Sequence, residues 1–208
     1  MRGVPYPRPL VEEPASESVV IQAARVKLIA LSCKLRGLCP SCHQKRALVM
    51  AAHVAEDVCA GVPHRQLVFT IPKRFRLFFR FDRKLLGDLA RLAWQTVLEV
   101  YRVALGRDDV VPGAASAIQT FGQLIHWHPH VHALVTDGAF TPDGVFVPLP
   151  PIDDEPFARL FREKVFDLLL RKGRIDEGIV RQMRGWRHSG FSVDRRVRRA
   201  ARDTKGRE

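Results

Sequence analysis

The strongest constraint in the sequence is a run of histidines at alternate positions near its middle. Four of the 8 His in the 208-residue chain fall within seven positions, at His126, His128, His130 and His132. In a β-strand, alternate residues share a face and lie about 6.5–7 Å apart, so two imidazoles can meet one metal ion above a sheet. The apolar residues that alternate with the later histidines would occupy the buried face.

Pro129 interrupts this histidine run. Proline cannot donate a ladder hydrogen bond, so we expect a regular strand to begin at or just after it. This prediction places His130 and His132 on one face of a strand. It leaves the first two histidines of the run in the loop before the strand, exposed or hydrogen-bonded locally.

A third metal ligand is expected from the preceding strand, predicted over residues 115–121, where Gln119 offers an oxygen donor. Two imidazoles with one oxygen ligand and open positions suit a Mg²⁺ or Mn²⁺ ion that polarises a phosphodiester. The two imidazoles would also suit zinc. We therefore predict a metal site made by His130, His132 and Gln119.

Helices and strands are interleaved along the chain. A short β-branched and aromatic run at residues 67–71, bounded by prolines, predicts a buried strand. Apolar residues at helical spacing predict three helices, from about His43 to Ala60, from Asp82 to Leu105, and from about Glu155 to Arg171. We therefore expect an α+β fold around a largely antiparallel sheet.

Composition points to the class of partner. The 34 Lys and Arg residues outnumber the 22 Asp and Glu residues, for a net charge of +12, while 46% of residues are hydrophobic. With a mean hydropathy of -0.10 and no apolar run of bilayer length, this composition excludes a disordered polyelectrolyte and a membrane protein. A basic domain of this kind most often binds a polyanion, and we expect it in the cytosol.

Two segments concentrate the positive charge, residues 73–84 and the stretch from Arg181 onward. In the first segment, basic residues alternate with phenylalanines. Single-stranded nucleic acids are bound by such surfaces, because bases stack on rings while cations hold phosphates. The alternative is that these rings are core residues, which we expect of at least half of them. The candidate DNA contacts are Lys73, Arg74, Arg76, Arg80, Arg83, Arg195 and Arg196.

Several collinear motifs resemble one family. The strings QTFG (residues 119–122), HPHVHALV (residues 128–135) and DG (residues 137–138) are similar to the core of the tyrosine transposases that mobilise insertion sequences by a rolling-circle route. Further strings that match this family are SCK and RGLCPSC within residues 32–42, VP and RQLVFTIP within residues 62–72, and WRHSGFSV at residues 186–193. The resemblance runs from about residue 30 to the end.

The resemblance implies that His130 and His132 are the metal-binding pair of the HUH nuclease superfamily. It implies a ferredoxin-like antiparallel sheet with helices on one face, preceded by a small zinc-binding module. We expect a degenerate module with a disordered start in residues 1–62 and the HUH domain in residues 63–208. The implied partner is single-stranded or hairpin DNA at transposon ends, and the implied process is DNA transposition by recombination near the nucleoid.

Members of this family use a tyrosine hydroxyl to attack DNA, which forms a covalent phosphotyrosine intermediate. The chain has 2 Tyr, Tyr6 and Tyr101, and both precede the histidine strand, whereas the family carries its tyrosine on a later helix. We expect Tyr101 in the core or at its boundary. We therefore expect a copy truncated at both ends, without a catalytic nucleophile.

Two other functions remain open at this point. One is a catalytically inactive remnant that binds single-stranded DNA, which the position of the tyrosines favours. The other is a histidine-rich metal-binding domain with an incidental basic tail, which the collinear motifs disfavour.

The zinc module is incomplete in this sequence. Cys33, Cys39 and Cys42 contain one Cys-x2-Cys pair, whereas structural zinc takes four ligands. The pair that the family places before Cys33 is absent. Candidate fourth ligands are His43, His53 and Cys59, of which the last two fit the following helix better.

We predict that the purified chain keeps less than one zinc ion per molecule after dialysis, because three cysteines do not complete a tetrahedral site. Elemental analysis of the dialysed protein checks this prediction. One tightly held zinc per chain would contradict it.

Overall fold

The computed structural model describes residues 40–53, 59, 61–122 and 126–199. They belong to two compact units, residues 1–57 with 207–208, and residues 58–206. The described part of the first unit is helix α1 (Pro40–His53). This helix begins earlier than the predicted start at His43, and residues 54–58 and 60 of the prediction lie outside the described residues, as does the expected disordered start.

The second unit contains both helices and strands. In chain order they are β1 (His64–Thr70), a short 3-10 helix (Lys73–Phe75), α2 (Arg76–Phe81), α3 (Lys84–Leu105), β2 (Ala114–Phe121), β3 (Trp127–Thr136), β4 (Gly138–Phe140), β5 (Phe146–Pro148), α4 (Glu155–Arg171), α5 (Glu177–Arg184), β6 (Ser192–Asp194) and β7 (Arg198–Arg199). In the part of the chain that the structure describes, no helix is long and apolar enough to cross a membrane.

The strands β1 and β3 form the centre of an antiparallel sheet. The strand order is β2-β3-β1-β6, and β7 pairs with the start of β1. The strands β4 and β5 form a separate hairpin. The predicted α+β class with an antiparallel sheet is confirmed, and β1 begins earlier than the strand expected at residues 67–71.

One face of the sheet is apolar and carries the core. Leu67 and Phe69 of β1 and Val131 and Val135 of β3 are fully buried, as the alternation of the sequence predicted. Helices α3 and α4 supply the other side of this core. The ring of Phe161 on α4 meets Phe69 edge to face, with 5.0 Å between ring centroids.

The ends of α3 follow local sequence signals. The backbone N–H of Lys84 donates to the Asp82 carboxylate at 3.2 Å, which satisfies a free donor at the start of the helix. At the other end Gly106 has φ 63, a left-handed conformation that glycine adopts without strain. The predicted extent of this helix is therefore confirmed to within its first turn.

The start of β3 differs from the prediction. The strand begins at Trp127 and includes Pro129, so the expected start at the proline is wrong. Proline is tolerated because the ladder is interrupted beside it: pairing with β1 ends at His130, and the register with β2 shifts after Gln119. As a result, His128 lies on the strand and not in the preceding loop.

A buried carboxylate joins the ends of three strands on the core side of the sheet. Asp137 follows β3 and is 5% exposed. It accepts hydrogen bonds from Arg65 Nε at 2.9 Å and Nη2 at 3.3 Å, and it forms an ion pair with Arg198 of β7. Burial alone would raise the pKa of Asp137, but the contacts with the two arginines outweigh it and lower that pKa.

Asp137→Asn should lower the free energy of unfolding by about 2 kcal/mol at pH 7, because it leaves two arginines without their buried partner while both still reach water. The carboxylate has a lower pKa in the folded chain than in the unfolded one. Its contribution is therefore complete above about pH 4 and disappears as the pH falls through the folded pKa.

Urea denaturation of the wild type and the variant at pH 7 and pH 3 measures this effect. The exposed Asp143 offers a matched Asp143→Asn control, which should change stability little. Equal destabilisation by Asp137→Asn at both pH values would contradict the role given to the charge.

Candidate functional site

The face of β3 opposite the core carries a row of imidazole rings. The centroids of successive rings from His126 to His132 are 6.1, 5.1 and 4.8 Å apart. The predicted pair, His130 and His132, forms the closest contact in the row. The structure therefore brings all four histidines together. His126 lies just before the strand, as expected, whereas His128 lies on it.

In His130, one ring nitrogen is bonded and the other is available. The Nδ1 atom lies 2.7 Å from the carbonyl oxygen of His128. Because a carbonyl can only accept, Nδ1 carries the proton and Nε2 keeps its lone pair. This arrangement, in which one imidazole nitrogen donates to a backbone carbonyl, is typical of metal-binding histidines.

The ring of His132 is held by a side-chain amide on the neighbouring strand. Its Nδ1 atom lies 3.1 Å from the amide nitrogen of Gln66 on β1, and its Nε2 atom is buried without a hydrogen-bond partner among the described residues. Because an amide nitrogen can only donate, Nδ1 accepts this bond, and the proton of a neutral ring is on Nε2. Rotation of the amide, which exchanges its oxygen and nitrogen, would make Nδ1 the donor and free the Nε2 lone pair for a divalent cation shared with His130.

Electrostatics distinguish His128 from His132. Burial lowers the pKa of His128, and the positive charge of Arg76 lowers it further. Burial, together with the charge of His130, also lowers the pKa of His132. Neutral imidazole is the form that binds metal. Because the Arg76 charge acts at His128, the His130–His132 end of the row is the better place for a cation.

Gly122 packs against the outer end of the histidine row. Its backbone N–H donates to the carbonyl of His126 at 3.0 Å. A Cβ atom at this position would lie 2.9 Å from His126 Nε2 and 3.4 Å from His128 Nδ1. Any larger residue would therefore displace the outer rings. This steric limit explains why the QTFG string ends in glycine.

Among the described residues, the candidate third ligand is of another chemical type. Within the described residues, no group of three His, Cys, Asp or Glu side chains could hold a metal ion. Gln119 pairs with His130 across β2 and β3 and so lies on the same face, exposed, with its amide nitrogen donating to the Phe121 carbonyl at 3.3 Å. This leaves the amide oxygen of Gln119 as the candidate that the sequence indicated.

Two hydroxyls flank the histidine pair on the β1 side. Thr70 pairs with His130 on one side and with Ser192 of β6 on the other, and the two hydroxyl oxygens are 2.6 Å apart. Sequence reasoning missed Gln66, Thr70 and Ser192 as site residues. All three lie in strings that carried the family resemblance, but only the strand register places them beside the histidines.

Most of the predicted DNA contacts are accessible. Lys73, Arg74, Arg80, Arg83 and Arg196 are exposed, and Arg76 is half-buried. Arg196 is 86% exposed on its side chain and pairs with Asp194. These cations therefore stay candidates for phosphate contacts.

Arg195 requires a correction. Its side chain is only 7% exposed, with Nε 2.8 Å from the Asp154 carboxylate and Nη2 donating to the Ile152 carbonyl at 2.8 Å. The guanidinium also lies over the ring of Phe157, 4.7 Å from the centroid. These contacts stabilise the fold and leave the side chain inaccessible to a phosphate, so the predicted DNA contact is not supported at this position.

The phenylalanines of residues 73–84 divide between the core and the surface. Phe75 and Phe79 are fully buried, Phe78 is half-buried, and Phe81 is 82% exposed. The alternative that placed at least half of them in the core therefore holds. Of the four, Phe81 presents a freely accessible ring.

Tyr101 lies in the core, as expected. It is 1% exposed, and its hydroxyl donates to the carbonyl of Thr136 at 3.1 Å. Burial raises the pKa of Tyr101, and the charge of Asp137 adds to this. A buried, protonated phenol of this kind cannot reach a DNA strand. Tyr6 lies outside the described residues.

The predicted zinc ligands Cys33 and Cys39 also lie outside the described residues. For Cys42 only the backbone, within α1, is described. The incomplete zinc site therefore stays a prediction.

Fold and site together define an α+β domain with a histidine pair on the open face of an antiparallel sheet. Residues 113–192, which include β2 and β3, match the family described as "Putative transposase". Residues 16–71 match the family described as "Transposase zinc-binding domain". No solved structure matches the chain.

A curated relative is also a transposase. The "Transposase for insertion sequence element IS801" of Pseudomonas savastanoi pv. phaseolicola is 35% identical over 121 residues, which is 58% of this chain. The chain spans 28% of the length of that relative. The two family matches and this relative confirm the resemblance to insertion-sequence transposases with a zinc-binding domain that the motifs indicated.

His130→Ala and His132→Ala should each weaken Mn²⁺ or Co²⁺ binding by about 100-fold or more, because each removes one of two imidazole ligands. Gln66→Leu should weaken it by about 10- to 100-fold, because the amide orients the ring of His132. Titration of metal-free protein with Co²⁺, followed by absorption, measures these constants. His188→Ala removes an exposed histidine outside the row and is the matched control; an unchanged affinity in His132→Ala would contradict the site.

Proposed function

We propose that residues 63–208 form an HUH-type nuclease domain of a rolling-circle transposase, with a ferredoxin-like arrangement of sheet and helices. The observation that carries this proposal is the contact between the rings of His130 and His132, whose centroids are 4.8 Å apart on the sheet face opposite the core. Their Nδ1 atoms are bonded to the His128 carbonyl and the Gln66 amide, so the Nε2 atoms are the ring nitrogens left for a shared ligand. The match of this region to a transposase family supports the same function.

The proposed substrate is single-stranded or hairpin DNA at the ends of a transposon, met in the cytoplasm at the nucleoid. The exposed cations before and within α2 would hold the phosphate backbone, and the scissile phosphate would bind at the histidine pair. The net charge of +12 favours such a polyanion. Recombination would follow from nicking and rejoining of this strand.

Each side chain has a proposed role at the scissile phosphate. His130 and His132, with the Gln119 oxygen, would hold Mg²⁺ or Mn²⁺, which supplies charge withdrawal from the phosphate when bound. Gln66 orients the ring of His132. The hydroxyls of Thr70 and Ser192, 2.6 Å apart, can donate to non-bridging phosphate oxygens.

The attacking hydroxyl does not come from Tyr101, whose phenol is buried and bonded to the Thr136 carbonyl. This observation favours a second candidate function, in which the chain binds the strand without cutting it. The two candidates share the same metal and DNA surface. They differ only in whether a covalent protein–DNA adduct forms when Mn²⁺ is present.

Binding of a single-stranded oligonucleotide of about 16 nucleotides should be stronger in Mn²⁺ than in EDTA and should fall steeply with salt. Arg80→Ala should lower the slope of log K against log salt by about 0.7, because one phosphate contact on a single strand is lost. Fluorescence anisotropy between low and moderate salt measures both effects.

Arg159→Ala removes a similarly exposed arginine from α4 and is the matched control, with no expected change in slope. Denaturing gels of the same mixtures separate nicking from binding. An adduct would support the nuclease and overturn the binding-only candidate. A DNA affinity that depends on neither Mn²⁺ nor salt would overturn the proposed function.

A further inference from the structure

The two basic segments of the sequence meet in the structure. Residues 185–191 form the α5–β6 loop, which contains the first part of the WRHSGFSV string. At the end of this loop, the ring of Phe191 meets that of Phe75 edge to face, with centroids 6.1 Å apart. Phe75 belongs to the basic segment of residues 73–84. The loop is therefore anchored against that segment, although the two are far apart in the sequence.

The α5–β6 loop also ends beside the histidine pair. Ser192, the first residue of β6, pairs with Thr70 of β1, and Thr70 pairs with His130 of β3. Because neighbouring strands are about 4.8 Å apart, the backbones of Ser192 and His130 are about 10 Å apart. Just beyond this row, a Cβ atom on Gly190 would lie 3.2 Å from the Cβ atom of Pro72. A DNA strand with a phosphate at the histidine pair would thus need only a few nucleotides to reach the loop.

The fold uses most of the WRHSGFSV string but not its first two side chains. Phe191 and Val193 are buried in the core, and the hydroxyl of Ser189 accepts a hydrogen bond from the Phe191 N–H at 3.3 Å. By contrast, Trp186 is 40% exposed, and Arg187 is exposed with no carboxylate partner among the described residues. An exposed indole and an unpaired guanidinium add little to the core, which leaves both available to a ligand.

The surroundings of the α5–β6 loop are basic. Lys73 and Arg74 lie in the segment that the loop contacts, and both are exposed. Arg181 is exposed on α5, the helix that leads into the loop. A surface that combines an exposed aromatic ring with several cations is typical of sites for single-stranded nucleic acid, because bases stack on the ring while phosphates pair with the cations.

We propose that the α5–β6 loop is a DNA subsite, in which the ring of Trp186 stacks on one base of the single strand and Arg187 holds an adjacent phosphate. Lys73 and Arg74, on the segment that the loop contacts, hold the backbone of the same strand. This inference rests on the proposed function. It names the place on the β6 side of the histidine pair where the strand is held.

Trp186→Ala should weaken binding of the single-stranded oligonucleotide about tenfold, which corresponds to one lost base stack. The slope of log K against log salt should not change, because no phosphate contact is removed. Arg187→Ala should lower that slope by about 0.7, the value for one phosphate contact on a single strand. Fluorescence anisotropy of a labelled oligonucleotide measures both effects.

Trp186→Phe separates stacking from a structural role. The chain has 3 Trp, and the other two, Trp94 and Trp127, are half-buried. Bound DNA should quench the fluorescence of the exposed indole, because the stacked base is in contact with it. Trp186→Phe keeps a ring that can stack, so its affinity should stay within about threefold of the wild type while the quenching is lost.

Two variants are matched controls. Phe121 is 52% exposed, and its ring meets that of Trp127, which packs against the core, so it lies on the sheet face opposite the histidine row. Phe121→Ala removes this ring, and Arg159→Ala removes an exposed arginine from α4. Both should bind DNA as the wild type does. Thermal denaturation and an unchanged Co²⁺ affinity would verify that the Trp186 variants are folded.

Three results would overturn the subsite in a wild type that shows Mn²⁺-dependent binding. They are wild-type affinity in Trp186→Ala, quenching that persists in Trp186→Phe, and equal losses of affinity in Trp186→Ala and Phe121→Ala. Failure of the wild type to bind DNA at all would instead overturn the proposed function.

Discussion

The side chains of β3, the strand between β1 and β2, face the two sides of the sheet alternately. The core and the candidate site both depend on this alternation. Val131 and Val135 point into the core, and His130 and His132 point the other way, because successive residues of a strand face opposite sides. A register slip of one residue would bury the imidazoles and expose the valines. The same apolar burial that stabilises the sheet therefore fixes where the histidine pair lies.

The chemistry of the histidine row is set by neighbours that are distant in sequence. The Gln66 amide reaches His132 from another strand, and Arg76 reaches His128 from the start of α2. Four chemically identical imidazoles thus lie in different environments, with the Gln66 amide at one end of the row and the Arg76 guanidinium near the other. A cation at one end and a phosphate at the other is the arrangement that this asymmetry favours.

Local signals predicted much of this fold. Helical periodicity and the Gly106 stop located α3, and period-two alternation located the buried face of β3. The start of β3 was missed because a bulge lets Pro129 lie within the strand, and such a bulge depends on the partner's register. Likewise, composition alone could not distinguish buried Arg195 from exposed Arg196, or buried Phe79 from exposed Phe81, since tertiary contacts decide each pair.

The unpaired ring nitrogens on the histidine face of the sheet have a free-energy cost that supports a binding role. The Nε2 atoms of His128 and His132 are buried without hydrogen-bond partners among the described residues. A polar atom in that state costs about 1–3 kcal/mol relative to one that is paired. A ligand that pairs with these nitrogens removes the cost only in the bound state. The core on the opposite face supplies the stability that lets the sheet hold both rings in place before a ligand arrives.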